Sequence, residues 1–240
     1  MAGNSLIKLE NVWKVYQLGN LELPVLKGIN LEIFPGNFVV ILGPSGSGKS
    51  TLLHIIGLLD TPTIGKVFLK DEDTSKLSED ELAQIRGREI GFIFQQFNLL
   101  PNLTAIENVM MPMVFQGITE KERKEKAEFL LESVGLKERM LHRPFELSGG
   151  EQQRIAIARS LSNNPEVIVA DEPTGNLDST TGQKIMETLI NLHEKEQKTM
   201  IVVTHDPSIA DYSEQIINIK DGRLVSNNLV TEKVLWKGKR

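Results

Sequence analysis

The 240-residue chain contains no cysteine, which excludes a disulfide framework, thiolate-bound zinc and a thiol nucleophile. It also lacks a long hydrophobic run. The longest unbroken apolar stretch is FVVIL at residues 38–42, far short of the roughly 20 residues that span a bilayer. The first ten residues show no basic stretch leading into an apolar core, so no signal peptide is expected. Basic charge is in deficit: Lys+Arg is 27 against Asp+Glu 32, a formal net charge of −5, opposite in sign to a non-specific nucleic-acid binder. Repeats and low-complexity tracts are missing too, which removes solenoids. What remains is ordinary globular usage, 40% hydrophobic and 25% charged, in a chain long enough for one large domain or a domain with an insert. A soluble, cytoplasmic protein is expected, with any membrane role exercised through a partner.

Short β-branched runs at residues 38–42, 90–94, 167–170, 200–204 and 216–219 stand apart from helical stretches. Runs such as VIVA at 167–170 are apolar at every residue, as strands buried on both faces must be. Strands of this kind with helices between them predict an α/β domain with a mostly parallel sheet. Residues 6–16 and 25–33 alternate more and predict a smaller antiparallel β subdomain at the N-terminus. From about residue 97 to 163 helical periodicity dominates, predicting an inserted α-helical subdomain. Within it, Thr119 reads as an N-cap, Glu120/Lys124 and Glu122/Lys126 as pairs four apart, and Phe129, Leu130 and Leu131 as a buried patch. Residues 1–226 then form the main domain, and 227–240 a basic tail.

After the run at 38–42 comes Gly43-Pro44-Ser45-Gly46-Ser47-Gly48-Lys49-Ser50-Thr51, followed by apolar Leu52, Leu53, Ile55 and Ile56. This is G-x-x-x-x-G-K-[ST] with a strand before it and a helix after it. Glycines let the backbone fold around an anion with its N–H groups inward, and the helix start adds its partial positive charge. Lys49 supplies a formal charge toward the β/γ-phosphates and Ser50 a hydroxyl to Mg²⁺. A nucleoside triphosphate is the expected ligand. About 120 residues later the run at 167–170 ends in Asp171-Glu172-Pro173. Open α/β sheets bind ligands beyond the carboxyl ends of their strands. There Asp171 can hold Mg²⁺ through water, and Glu172 can orient or deprotonate an attacking water.

The segment Leu147-Ser148-Gly149-Gly150-Glu151-Gln152-Gln153-Arg154 narrows the class. Ser148 and Glu151 read as a capping box, but that does not require two glycines in the first turn, where each is costly relative to alanine. Close approach of a phosphate to the backbone explains them. Because the chain already has one phosphate loop, this second anion-binding helix start is read as facing another molecule's nucleotide.

On these residues the sequence resembles the ATP-binding subunit of an ABC transporter, from about residue 6 to 226, with LSGGEQQR as its signature motif. The resemblance implies ATP hydrolysis with Mg²⁺ and further site residues. Tyr16 matches the aromatic that stacks on adenine, Gln95 the glutamine that reaches Mg²⁺ and the water, and His205 the histidine that senses the γ-phosphate. Asp178 matches the loop that crosses the subunit boundary; it reads equally as the N-cap of a helix from Ser179. His54, His142 and His193 match nothing and read as structural. The implied partners are a second ATPase subunit, in a homodimer sandwiching two ATP, and a separate transmembrane permease, with no nucleic acid expected. That arrangement would hold the chain peripherally on the inner face of the membrane. EPTGNLD and FQQFNLLP resemble the lipoprotein-releasing, macrolide-efflux and cell-division (LolD/MacB/FtsE) branch, implying export or envelope work. The alternatives are a soluble ABC-type ATPase acting on nucleic acid or ribosomes, expected to carry coiled-coil arms or two ATPase halves, and a small-molecule kinase, which would leave residues 148–154 without a task.

Overall fold

A computed structural model describes residues 4–230. The chain divides into two compact units, residues 1–82 with 199–240 and residues 83–198. In the first unit, strands β1 (Ile7–Leu18) and β2 (Leu21–Ile33) form an antiparallel pair. On its other edge β1 pairs with β4 (Ile64–Leu69), which in turn pairs with the two-residue β5 (Glu72–Asp73). The antiparallel sheet expected at the N-terminus is thus present, extended by a strand pair from beyond the phosphate loop. A second sheet in this unit centres on β3 (Phe38–Leu42). It lies parallel to β8 (Thr199–Thr204) on one side and to β9 (Gln215–Lys220) on the other, and β10 (Arg223–Leu229) closes the edge antiparallel to β9.

The continuous apolar run predicted for β3 pays off in burial: Phe38, Val39, Val40 and Ile41 are all fully buried. Helix α1 (Lys49–Ile56) follows β3 directly and buries Leu52, Leu53, Ile55 and Ile56. β10 runs on through Leu229, into the segment read from sequence as tail; the rest of that tail, residues 231–240, lies outside the described residues.

Helix α2 (Glu79–Glu89) leads into the second unit, where β6 (Ile90–Ile93) and β7 (Val167–Asp171) run parallel. Helices α3 (Ala105–Val114), α4 (Glu120–Ser133) and α5 (Gly149–Ser160) fall between them in sequence, within the stretch predicted to be helical. α6 (Ser179–Glu196) completes the unit. Thr119 caps α4 as predicted, but Glu122 is engaged in that capping box, and the ion pairs along the helix, Lys121–Glu125 and Lys124–Glu128, run with lysine first. The predicted patch needs one correction. Ala127, Leu130, Leu131 and Val134 share the i, i+3, i+4, i+7 stripe and are buried, whereas Phe129 falls off that stripe and is 70% exposed.

Candidate functional site

The phosphate loop is built as its sequence requires. Gly43 sits where a Cβ would meet the Ile219 carbonyl and come within 2.7 Å of Ser47 Oγ, so only glycine fits. Gly48, the N-cap of α1, has φ +101°, a conformation closed to L side chains. Pro44, Ser45, Gly46 and Ser50 are exposed at the mouth of the loop, with Thr51 half-buried behind them. Ser47 is turned inward, and its carbonyl accepts from Gly222 N–H at 3.0 Å. Lys49 is buried, its ammonium donating to the Gly43 and Pro44 carbonyls at 2.9 and 3.0 Å. A cation is thus held by two loop carbonyls at a helix start, an arrangement suited to an incoming phosphate.

Two further sequence-predicted residues belong to the same unit. Tyr16, near the end of β1, is half-buried, and its hydroxyl donates to Asp60 Oδ2 at 2.9 Å. His205 is exposed immediately after β8, where Asp206 N–H turns back to Thr204 Oγ1 at 3.0 Å.

The second unit carries the remaining candidates. Asp171 ends β7, and Glu172 follows with φ +45°, a left-handed conformation that is unusual for a glutamate and more so before proline. Gln95, exposed just beyond β6, gives its carbonyl to Asn176 Nδ2 at 2.8 Å, and a Cβ on Gly175 would sit 2.8 Å from Gln95 Nε2. The glutamine loop and the 175–178 loop are therefore pressed together. Asp178 does cap α6, accepting from Thr180 and Thr181 N–H at 3.1 and 3.0 Å, and the Thr181 side chain, together with these backbone bonds, holds its carboxyl below the usual range.

Ser148 is exposed and caps α5. Its hydroxyl and N–H both donate to Glu151 Oε2, at 2.7 and 2.9 Å, and Glu151 N–H returns to Ser148 Oγ at 3.3 Å. Ser148 thereby keeps the Glu151 carboxyl below its ordinary pKa, helped by Arg139 at 3.2 Å. The two glycines have different reasons. A Cβ on Gly150 would lie 2.5 Å from Thr181 Cγ2, so packing inside the chain already demands glycine there; at Gly149 the nearest atom, Leu177 Cδ2, is 3.3 Å away.

Sequence reading missed four side chains that brace these loops. Gln153, fully buried on α5, donates to the Pro173 carbonyl at 2.7 Å. Arg159, one helical turn and more along, holds the carbonyls of Phe97 and Asn98, both at positive φ; burial brings its pKa down to about 10, which leaves it charged at neutral pH. Asn108, 1% exposed in the apolar α3, bonds the Leu100, Leu103 and Thr104 carbonyls and the Leu100 N–H. Asn176 is the fourth. A lone amide within an apolar helical run was the one available signal, at Asn108. His193 is buried with Nδ1 3.0 Å from the Lys198 carbonyl, and His142 lies 3.4 Å from Arg139, in keeping with structural roles.

As for metal, no group of three or more His, Cys, Asp or Glu forms a cage among the described residues. The candidate donors, the Ser50 hydroxyl, Gln95 and Asp171, are all hard oxygens. Mg²⁺ suits such a set, since it commonly takes few protein ligands and completes its shell with phosphate oxygens and water.

Comparison with known proteins bears on the whole arrangement. Residues 26–175 match the family described as ABC transporter. An uncharacterised ABC transporter ATP-binding protein of Thermotoga maritima is 54% identical over 218 residues, covering 91% of this chain and 93% of that protein. A macrolide export ATP-binding/permease protein of Brucella abortus is 49% identical across 95% of this chain, although the match occupies only 35% of that longer protein. Among solved structures, the dimeric post-hydrolysis state of the ATP-binding cassette MJ0796 bound to ADP and Pi superimposes with a TM-score of 0.86 at 49% identity, covering 93% of this chain and 98% of that one.

Proposed function

The chain belongs to the ABC transporter family, and on that premise we propose that two copies close head-to-tail on two ATP molecules and so drive a separate membrane-embedded permease. It is an ATP-binding cassette ATPase with relatives in the macrolide-export branch. The observation that carries the dimer reading is that the chain has a single phosphate-loop helix start, α1, and a separate diglycine helix start capped by Ser148, α5, both of which we read as anion-receiving. A second subunit's Ser148 and the N–H groups at Gly149 and Gly150 supply donors to the triphosphate that the first subunit's own loop lacks. Each motif is then used once per site, as two-fold symmetry requires.

In this reading residues 43–51 bind the triphosphate, Lys49 neutralises its charge, and Tyr16 stacks on the base. Ser50, Gln95 and Asp171 would hold Mg²⁺, which when bound draws charge from the phosphate oxygens. Glu172 takes the proton of the attacking water, His205 donates to the γ-phosphate, and Asp178 contributes from the loop at the subunit boundary. Loss of phosphate removes charge from the seam and the pair opens. No helix among the described residues is long and apolar enough to cross a membrane. In this reading the permease is another polypeptide, which holds the chain at the inner membrane face. Export or other envelope work fits the relatives named above. Affinity purification of the tagged chain from detergent-solubilised membranes tests this: a multi-spanning protein should co-purify and stimulate ATP turnover. Stimulation by nucleic acid, with no membrane protein recovered, would contradict it.

A further inference from the structure

Asp60 lies just past α1, where Leu59 and Asp60 N–H both donate to the His54 carbonyl, at 2.8 and 3.3 Å. It is thereby fixed to the far end of the helix that opens with Lys49. Its carboxylate reaches back to β1. Oδ2 accepts the Tyr16 hydroxyl at 2.9 Å, while Oδ1 accepts Lys14 Nζ at 2.5 Å and the Thr61 N–H at 2.8 Å. Lys14 also bonds the Thr61 carbonyl at 2.8 Å, and its ammonium stands over the Tyr16 ring, 5.0 Å from the centroid. The Thr51 side chain, from the first turn of α1, shares a hydrogen bond with the same phenol. Lys14 and Tyr16, two apart on β1, thus meet at one carboxylate.

We propose that Asp60 is a positioning residue for the nucleobase: it pins the Tyr16 hydroxyl and, through Lys14, covers one face of the ring, leaving the other as a fixed platform for the base. This rests on the reading of Tyr16 as the base-stacking residue. The phenol is a donor throughout the physiological range, because burial and the neighbouring Asp60 carboxylate both push its pKa up. Burial alone would raise the Asp60 pKa, but the bonds from Lys14, Tyr16 and the Thr61 backbone outweigh it and hold the carboxyl below its usual value. An aromatic already ordered by such a clamp gives up less freedom when the base arrives, which favours binding. The clamp acts on the base and not on the phosphates, and that separates it from a general role in the fold.

The test is calorimetric titration of the full chain with Mg-ATP and with Mg-tripolyphosphate, which has no base. Asp60→Ala should weaken ATP binding about fivefold, on the scale of the net contribution of one ordinary hydrogen bond, with tripolyphosphate affinity unchanged. Tyr16→Phe, which keeps the ring, should lose the same factor, and the double variant should lose no more than either single one. Asp60→Asn provides a milder variant should the alanine fold poorly. Tyr16→Ala checks the underlying reading: unchanged ATP affinity there would remove the base platform itself. Weakened binding in Tyr16→Ala with normal binding in the Asp60 variants would overturn the positioning role alone. Equal losses for ATP and tripolyphosphate would also overturn it.

Discussion

At Glu172 the backbone turns through φ +45° between a strand buried through Ala170 and a proline. A non-glycine residue there costs on the order of 1–3 kcal/mol, and such strain persists where the surrounding structure enforces it. Glu172→Gln keeps size and backbone while removing the base. It should leave ATP affinity intact and slow hydrolysis by on the order of 10²–10⁴-fold, measured by phosphate release under saturating ATP. Lys49→Ala should do the reverse and lose nucleotide binding itself, read by calorimetry. Asp73 offers a pH effect of definite sign. The Ser75 hydroxyl and Lys66 bring its carboxyl down from 3.8 to about 2. A carboxyl depressed in the folded state stabilises above its unfolded pKa, so this contribution is complete above about pH 4 and is lost as pH falls toward 2. Thermal melts of Asp73→Asn and the parent should therefore converge at the acid end of that window; a constant difference across it would remove the ion pair from the account.

The elements show where sequence is legible and where it is not. The N-cap at Thr119, the capping box at Ser148 and the Asp178 cap stand as read, because each is a short local pattern whose hydrogen bonds span two or three residues. Buried strands were readable for the same reason, as runs with no polar interruption. The bracing of the loops was not, since Arg159 meets Phe97 and Asn98 from 62 and 61 residues away and Gln153 meets Pro173 from 20. Nothing local in α5 distinguishes those side chains from an ordinary polar face. Phe129 failed differently: adjacency to Leu130 and Leu131 suggested burial, but helical phase decides it.

Gly150 joins the two cases. Its motif was legible, while its contact with Thr181 was not. Gly150→Ala should lower stability by about 1–3 kcal/mol through overpacking. Thr181→Ser, which removes the offending methyl, should restore much of that loss in denaturant melts. If phosphate approach to this helix start also matters, the stability-restored double variant should still be impaired in ATP turnover. Full recovery of turnover would leave packing as the whole reason for the glycine.

Taken as a whole, the molecule has one phosphate loop and one capped diglycine helix start, each carried by a different compact unit. That pairing makes sense if two copies share two nucleotides, and the ADP- and Pi-bound relative is itself dimeric. The measurement closest to this claim is the molar mass of the Glu172→Gln protein by multi-angle light scattering, with and without saturating ATP. Nucleotide should double the mass, and adding Ser148→Arg, which places a bulky side chain at the helix start, should abolish the doubling while ATP still binds. A mass that stays monomeric at saturation, or a doubling indifferent to the change at Ser148, would contradict the shared-nucleotide dimer.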